Sequence, residues 1–242
     1  MSEVRVIPVS GIPELEQGDD LGALLAARCE LQDGDVVVVA QKAVSKVEGR
    51  VVSLVGVEPS PRALELAGEE DPRHVEVILR ESARVVRARP PLLISETPHG
   101  FVCASAGVDA SNAPGPDLLV LLPVDPDASA VRLRARLREL TGRDVGVIVS
   151  DSFGRPWRQG TTDVAIGTAG IEPLRDLRGV RDRAGYELRS TQIAVADELA
   201  GAAELVLGKV RGIPAAIVRG VDVRGEGTAR DLVLPAERSL FP

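Results

Sequence analysis

Val145-Gly146-Val147-Ile148-Val149-Ser150-Asp151-Ser152-Phe153-Gly154-Arg155 is the stretch on which the reading of this chain turns. Its first residues are apolar and mostly β-branched, which suits a buried strand, and the polar residues follow at the strand's carboxyl end. An acid and a hydroxyl in that position sit where α/β architectures commonly keep their chemistry. A second run of the same kind, Val36-Val37-Val38-Val39-Ala40, follows the turn signal Asp33-Gly34 and reads as a strand buried on both faces. It is followed by polar residues: Gln41, Lys42, Ser45, Lys46 and Glu48.

Outward from these two strands the pattern alternates between β and α. Residues 4–9 alternate as a strand, Gly11-Ile12-Pro13 breaks it, and Asp19-Asp20 introduces a helical pattern over 21–28. Between residues 59 and 89 charges surround Leu64, Leu66, Val75, Val77, Ile78 and Leu79, which predicts two amphipathic helices split at Asp71-Pro72. Residues 92–95 and 101–104 form a hairpin around Pro98-His99-Gly100, and residues 118–122 another strand. Asp127 is placed to cap a helix over 128–140, ended by Thr141-Gly142, with Arg132, Arg134, Arg136 and Arg138 as a solvated face. Residues 191–208 are helical in pattern, and 213–219 give the last strand. The fold class expected is α+β, with mixed sheets flanked by helices. Residues 1–242 are treated as one domain with room for two interlocked subdomains, and no internal repeat is visible.

Bulk composition bounds the function. With 242 residues, 44% of them hydrophobic, the chain can bury a sizeable core, and with 2% aromatics that core is built from Val, Leu, Ile and Ala. A net charge of −7 argues against nucleic acid as a partner, because phosphate neutralisation needs a basic stripe. Cys29 and Cys103 show neither CxxC nor zinc-ligand spacing and read as buried free thiols. No apolar run is long enough to span a bilayer and no secretory signal opens the chain, so the cytoplasm is the expected compartment and no membrane partner is expected.

Three polar clusters fall at strand ends or glycine-containing turns, where side chains are free to face a ligand. Asp109 with Asn112 reads either as a ligand site or as a pair of turn formers. Asp151-Ser152 offers hard oxygen ligands of the kind Mg²⁺ and Mn²⁺ accept beside substrate phosphates, the alternative being a helix cap after the strand. Lys42, Ser45 and Lys46, read as loop residues, either meet phosphate charge or are simply solvated. Arg155 and Arg158 flank Pro156-Trp157 and offer guanidinium forks beside the acidic site, with Trp157 packed as an anchor of the loop. His74 and His99 stand alone and read as surface or turn residues. There is no GxxxxGK[ST] loop and no GxGxxG after a strand. The residues alone lead to a divalent-metal, phosphoryl-handling enzyme of unfamiliar nucleotide fold.

A resemblance goes further. Gly11-Ile12-Pro13-Glu14, Gly18-Asp19-Asp20-Leu21, Asp33-Gly34-Asp35, Val44-Ser45-Lys46-Val47-Glu48-Gly49-Arg50, the 107–112 segment and Asp125-Pro126-Asp127 stand in one order. They are followed by Ser150-Asp151-Ser152-Phe153-Gly154-Arg155-Pro156-Trp157-Arg158, Ala165-Ile166-Gly167, Ala194-Val195-Ala196-Asp197-Glu198 and Ile217-Val218-Arg219-Gly220. The ordered set, spanning residues 4–222, resembles the coenzyme F420-0:L-glutamate ligase family.

That resemblance implies a GTP-dependent ligase joining L-glutamate to coenzyme F420-0 through an acyl phosphate, followed by further γ-linked glutamates. It implies an intertwined homodimer without a P-loop and two divalent cations, Mg²⁺ or Mn²⁺, with K⁺ as a further ion to consider. Asp109 and Asp151 would hold one divalent cation and Ser152 would contact the second; many relatives carry Thr at that position. GTP would be held by Gly11, Ile12, Pro13, Glu14, Gln41, Lys42, Lys46, Asn112 and the segment Leu207-Gly208-Lys209-Val210-Arg211-Gly212-Ile213. Asp151, Lys46 and Arg155 would carry the chemistry. In actinobacterial relatives the domain is fused to a C-terminal flavin-binding domain, and the 234–242 tail suits either a natural end or the place where a longer protein was cut.

Overall fold

In the computed structural model, which describes residues 3–240, the two valine-rich runs lie side by side and parallel. The first half of the chain forms β1 (Arg5–Val9), α1 (Leu21–Ala26), β2 (Val36–Ala40), α2 (Gln41–Val47), β3 (Val51–Ser53), α3 (Pro61–Ala67), α4 (Pro72–Arg80), β4 (Arg84–Arg89), β5 (Leu92–Glu96), β6 (Val102–Ala104) and β7 (Leu118–Val120). The second half forms α5 (Pro126–Thr141), β8 (Gly146–Arg155), β9 (Arg158–Ala169), β10 (Arg175–Asp176), β11 (Gln192–Ile193), α6 (Val195–Leu207) and β12 (Ala215–Arg219). The end of the 234–242 tail lies outside the described residues.

A five-stranded mixed sheet in the order β1-β12-β2-β8-β9 organises the molecule. Its only parallel pair is β2–β8; the other neighbours are antiparallel. Side chains alternate across the sheet, so Val37, Val39, Val147, Val149 and Ile217 pack against Leu25 of α1 and Leu133 and Leu137 of α5. Val36, Val38, Ile148, Ala216 and Val218 face the other way, onto Leu199, Ala200 and Ala203 of α6. Helices on both faces explain why these strands are continuously apolar rather than alternating. At Gly167 a Cβ would come within 2.2 Å of the Pro126 carbonyl oxygen, so the start of α5 rests directly on β9.

Residues 51–121 build a further unit with its own core, in which Leu54, Leu66, Val75, Ile78, Leu93 and Leu119 pack together. It holds the β3–β7 ribbon, the β4-β5-β6 sheet and helices α3 and α4. The mixed α and β content expected from the sequence is present.

Several local expectations are corrected. Residues 84–89 form strand β4 rather than the end of a helix, because they pair with β5 along its length. Helix α5 is capped by Asp125, whose carboxylate accepts from the Ala128 amide at 3.0 Å, not by Asp127. Asp127 instead accepts from the amides of Thr168 and Ala229 at 2.8 and 2.9 Å and ties the helix to two other segments. The arginines of α5 are less idle than a solvated face: Arg132 pairs with Glu48, Arg134 with Asp144 and Arg136 with Asp20. Residues 41–47 are helical, not a loop. Trp157 is 86% exposed at the tip of the β8–β9 hairpin and does not anchor it by packing. His99 does sit in a turn, as expected, its ring stacked on Phe101 and within hydrogen-bond reach of the Pro123 and Val124 carbonyls.

Candidate active site

Because β2 and β8 are parallel, their carboxyl ends open on the same side, with Ala40 in register with Ser150. Helix α2 begins at once after β2, and its four-residue spacing puts Lys42 and Lys46 on one face. Ser45, on the flank of that face, does not line the cleft: it is fully buried, and its hydroxyl contacts the Gln41 side chain and the Leu121 carbonyl. Beyond the sheet β8 runs on as one arm of a long hairpin with β9, and a register shift between Val149 and Ser150 turns the polar residues out of the valine pattern. The helix-cap reading of Asp151-Ser152 is therefore wrong; both are strand residues.

The facing wall comes from the 51–121 unit. Ser105, Ala106 and Gly107 are successively left-handed, with φ of 53°, 51° and 73°. Two of them carry side chains, each at a cost on the order of 1–2 kcal/mol, and strain of this kind gathers at functional sites. The turn delivers Asp109, which forms an isolated bridge with Val120, and the left-handed Asn112. Residues 207–213, leading from α6 to β12, make the third wall, and the Asn112 side-chain amide donates to the Lys209 carbonyl at 3.4 Å. The walls enclose a cleft of about 620 Å³.

Within it the predicted clusters meet. The Lys42 ammonium lies 2.5 Å from the Asp109 carboxylate and contacts both the hydroxyl and the carbonyl of Ser111. Lys46 is paired with Glu14. Ile12, Pro13, Glu14, Gln41, Lys42, Lys46, Asp109, Asn112, Asp151 and Ser152 all line the cleft, as do Leu207 to Val210, Gly212 and Ile213. Gly11, Arg211 and Arg155 do not. Gly11 turns its carbonyl to the Arg28 side chain, Arg211 folds back over Gly208, and Arg155 reaches the Gln159 carbonyl in its own hairpin. Arg155 thus stands apart from the residues that line the cleft.

The sequence reading missed Asp163. It stands opposite Ser152 in the hairpin, is 4% exposed, and accepts from the hydroxyls of Ser150 and Ser152 at 2.9 and 2.6 Å. The signal was an acid in the otherwise small and apolar strand Asp163-Val164-Ala165-Ile166, a place where a charge needs a reason. Glu204 on α6 and Cys103 on β6 also line the cleft and were not singled out.

Electrostatics distinguish the acids. Burial pushes Asp151 up to about 7; the Asp163 and Asp109 charges add to this, while the Ser152 amide and Lys42 oppose it. Asp109 is also penalised by burial, but hydrogen bonds from Lys42 and Ser111 outweigh the penalty and hold its carboxyl below the usual range. Burial and Asp163 raise Glu204, and burial with the Asp151 charge takes the Cys103 thiol to about 12, so that thiol is inert.

The donor set fits a hard divalent cation: carboxylate and hydroxyl oxygens in a cleft where one acid is crowded by others and short of positive charge. Among the described residues no three acidic, histidine or cysteine side chains form a ready-made ligand group. Mg²⁺ requires only one or two carboxylates when phosphates supply the rest. Lys42 on Asp109 already shows the acid accepting positive charge.

A profile described as F420-0:gamma-glutamyl ligase matches residues 11–220. The chain belongs to that family. Coenzyme F420:L-glutamate ligase of Methanopyrus kandleri is 48% identical, with 98% of this chain and 97% of the relative aligned. The proteins of the same name from Methanothermobacter thermautotrophicus and Methanocaldococcus jannaschii are 44% and 42% identical, the alignments covering 98% and 100% of this chain and 98% and 99% of theirs. The gamma-glutamyl ligase match takes in every residue that lines the cleft, from Ile12 to Pro214. No described helix is long and apolar enough to cross a membrane.

Proposed function

We propose that this gamma-glutamyl ligase family member joins L-glutamate to the carboxylate of coenzyme F420-0, driven by GTP, and then extends the product with γ-linked glutamates. The observation that carries this reading is the meeting, in one cleft, of Asp109, Asp151 and Ser152 with Lys42, Lys46 and the 207–213 loop. Full-length similarity to proteins named coenzyme F420:L-glutamate ligase supplies the substrates.

A carboxylate has no leaving group that an amine can displace. In the reading favoured here a carboxylate oxygen of F420-0 attacks the γ-phosphorus of GTP, the bond to the β-phosphate oxygen breaks, and GDP leaves. The glutamate nitrogen then attacks the resulting acyl phosphate; inorganic phosphate departs with the C–O bonding pair, and the nitrogen gives up a proton as the amide forms. Phosphoryl transfer of this kind asks the protein mainly for positioning and charge neutralisation. Lys46 and Lys42 bring ammonium groups to the phosphates, the 207–213 loop and Asn112 close over the nucleotide, and Asp109, Asp151 and Ser152 hold Mg²⁺ or Mn²⁺. Such a cation supplies Lewis-acid stabilisation of the phosphoryl oxygens. K⁺ as an accessory ion and a homodimeric state belong to the same proposal.

The test is mass spectrometry of F420-0 incubated with the protein, GTP, glutamate and Mn²⁺. A ladder of added glutamyl masses, with one GDP and one phosphate released per addition, is the expected result. Turnover only with a different acid acceptor would make it another amide ligase on this scaffold. GTP bound with no phosphate released in the full mixture would make it a non-catalytic partner.

A further inference from the structure

Asp163 is the buried acid of the cleft to which the proposed mechanism gives no task. Its two carboxylate oxygens are divided between two hydroxyls: Ser150 donates to Oδ2 at 2.9 Å and Ser152 to Oδ1 at 2.6 Å. A serine hydroxyl has one hydrogen and two lone pairs, and its rotation is otherwise free. Once the Ser152 hydrogen is committed to Asp163, the lone pairs of that oxygen are the part left to face the cleft. Register enforces the arrangement, since Ser152 and Asp163 are direct partners across the β8–β9 hairpin. The backbone at Asp163 is itself backed by α6, where a Cβ at Gly201 would lie in ordinary contact with the Asp163 carbonyl, at 3.8 Å. An acid only 4% exposed and opposed by two neutral hydroxyls is not explained by stability, because a buried carboxylate without a cationic partner is costly.

We infer that Asp163 is a positioning residue: it orients the Ser152 hydroxyl so that its lone pairs point into the cleft, toward a divalent cation held there. This rests on the reading of Asp151 and Ser152 as cation-facing residues. Asp163 acts through Ser152 and touches no substrate.

The experiment measures Mn²⁺ binding to the metal-free full chain by titration calorimetry, with no nucleotide or acceptor present. Asp163→Val removes charge and acceptor with little change of size and suits a strand; Asp163→Asn removes the charge but keeps one oxygen for Ser152 while Ser150 turns to accept from the new amide. Both lose the negative charge, so the difference between them isolates the hydrogen bond. Asp163→Val is expected to weaken Mn²⁺ binding roughly 10–100-fold, the usual effect of losing an outer partner of a metal ligand, and Asp163→Asn to bind at least about fivefold more tightly than Asp163→Val. Equal losses in the two variants would assign Asp163 a purely electrostatic effect and overturn the inference, as would affinity unchanged in both. If Asp163→Val does not fold, Asp163→Ala is compared with Asp163→Asn on the same criterion. No Mn²⁺ binding by the parent chain would instead bring down the reading of Asp151 and Ser152, and the inference with it.

Discussion

Asp151→Asn, made in the metal-free protein, is expected to stabilise the fold it disables. Burial and two neighbouring acids move the Asp151 carboxyl from 3.8 to about 7. The folded chain therefore holds a proton that the unfolded chain releases between those values, and stability falls as pH rises through that window. The slope is about 1.4 kcal/mol per pH unit, so above pH 7 the ionised carboxylate costs the fold on the order of 4 kcal/mol. Asn keeps an oxygen for the Ser152 amide and carries no charge, so at pH 8 the variant should gain about 2–4 kcal/mol. For a domain of this size that raises the melting temperature by roughly 5–15 °C. The advantage should shrink as pH is lowered from 7 toward 4, where the parent carboxyl is neutral. Thermal melts in chelator at pH 8 and pH 5 read both the size and the sign. Saturating Mn²⁺ should close most of the gap: at a hundred times its dissociation constant it adds about 2.7 kcal/mol to the parent and nothing comparable to the variant. An Asn variant that melts below the parent at pH 8 in chelator would refute the account of Asp151 as an uncompensated charge awaiting a cation.

Four other variants test the geometry. Lys42→Met should weaken GTP binding roughly 10–100-fold by fluorescence titration, because it removes an ammonium from the cleft and leaves Asp109 facing phosphate unpaired. Gly167→Ala should destabilise by about 1–3 kcal/mol in urea unfolding, since its methyl would meet the Pro126 carbonyl at 2.2 Å and α5 would have to move off β9. Asp127→Ala should cost on the order of 2–4 kcal/mol by the same assay, by orphaning the Thr168 and Ala229 amides, whereas Asp125→Ala should cost about 1 kcal/mol as the loss of a helix cap.

Much of the cleft was legible before folding. Strand ends and glycine turns leave side chains and amides unclaimed by the core, so Asp109, Asn112, Asp151 and Ser152 could be picked out as polar residues at such places, and all four line one cleft. Lys42 and Lys46 were found for the right charge but the wrong backbone, because a seven-residue helix starting directly from a strand carries no capping residue to announce it. Arg155 was misplaced for a different reason: sequence adjacency to Asp151 says nothing about which way a hairpin turns, and four residues along the strand the side chain has left the cleft for its own loop. Asp163 was missed because its importance comes from a strand partner eleven residues away.

By itself the sequence determined the elements that depend on nearest neighbours and periodicity: the two valine-rich strands, the N-terminal strand and helix, and the 92–104 hairpin; the acid-hydroxyl pair it put at a strand end lies within the longer strand β8. It also carried the ordered motifs by which the family was recognised. The tertiary structure alone decided that β2 and β8 run parallel, which puts the lysine helix and Asp151 at one end of the sheet, and that the 51–121 unit brings Asp109 across to meet them. Strand formation is specified by side chains a few residues apart. The pairing of strands, the register that sets Asp163 against Ser152 and the pKa of Asp151 depend on burial and charge contributed by residues far away in the chain.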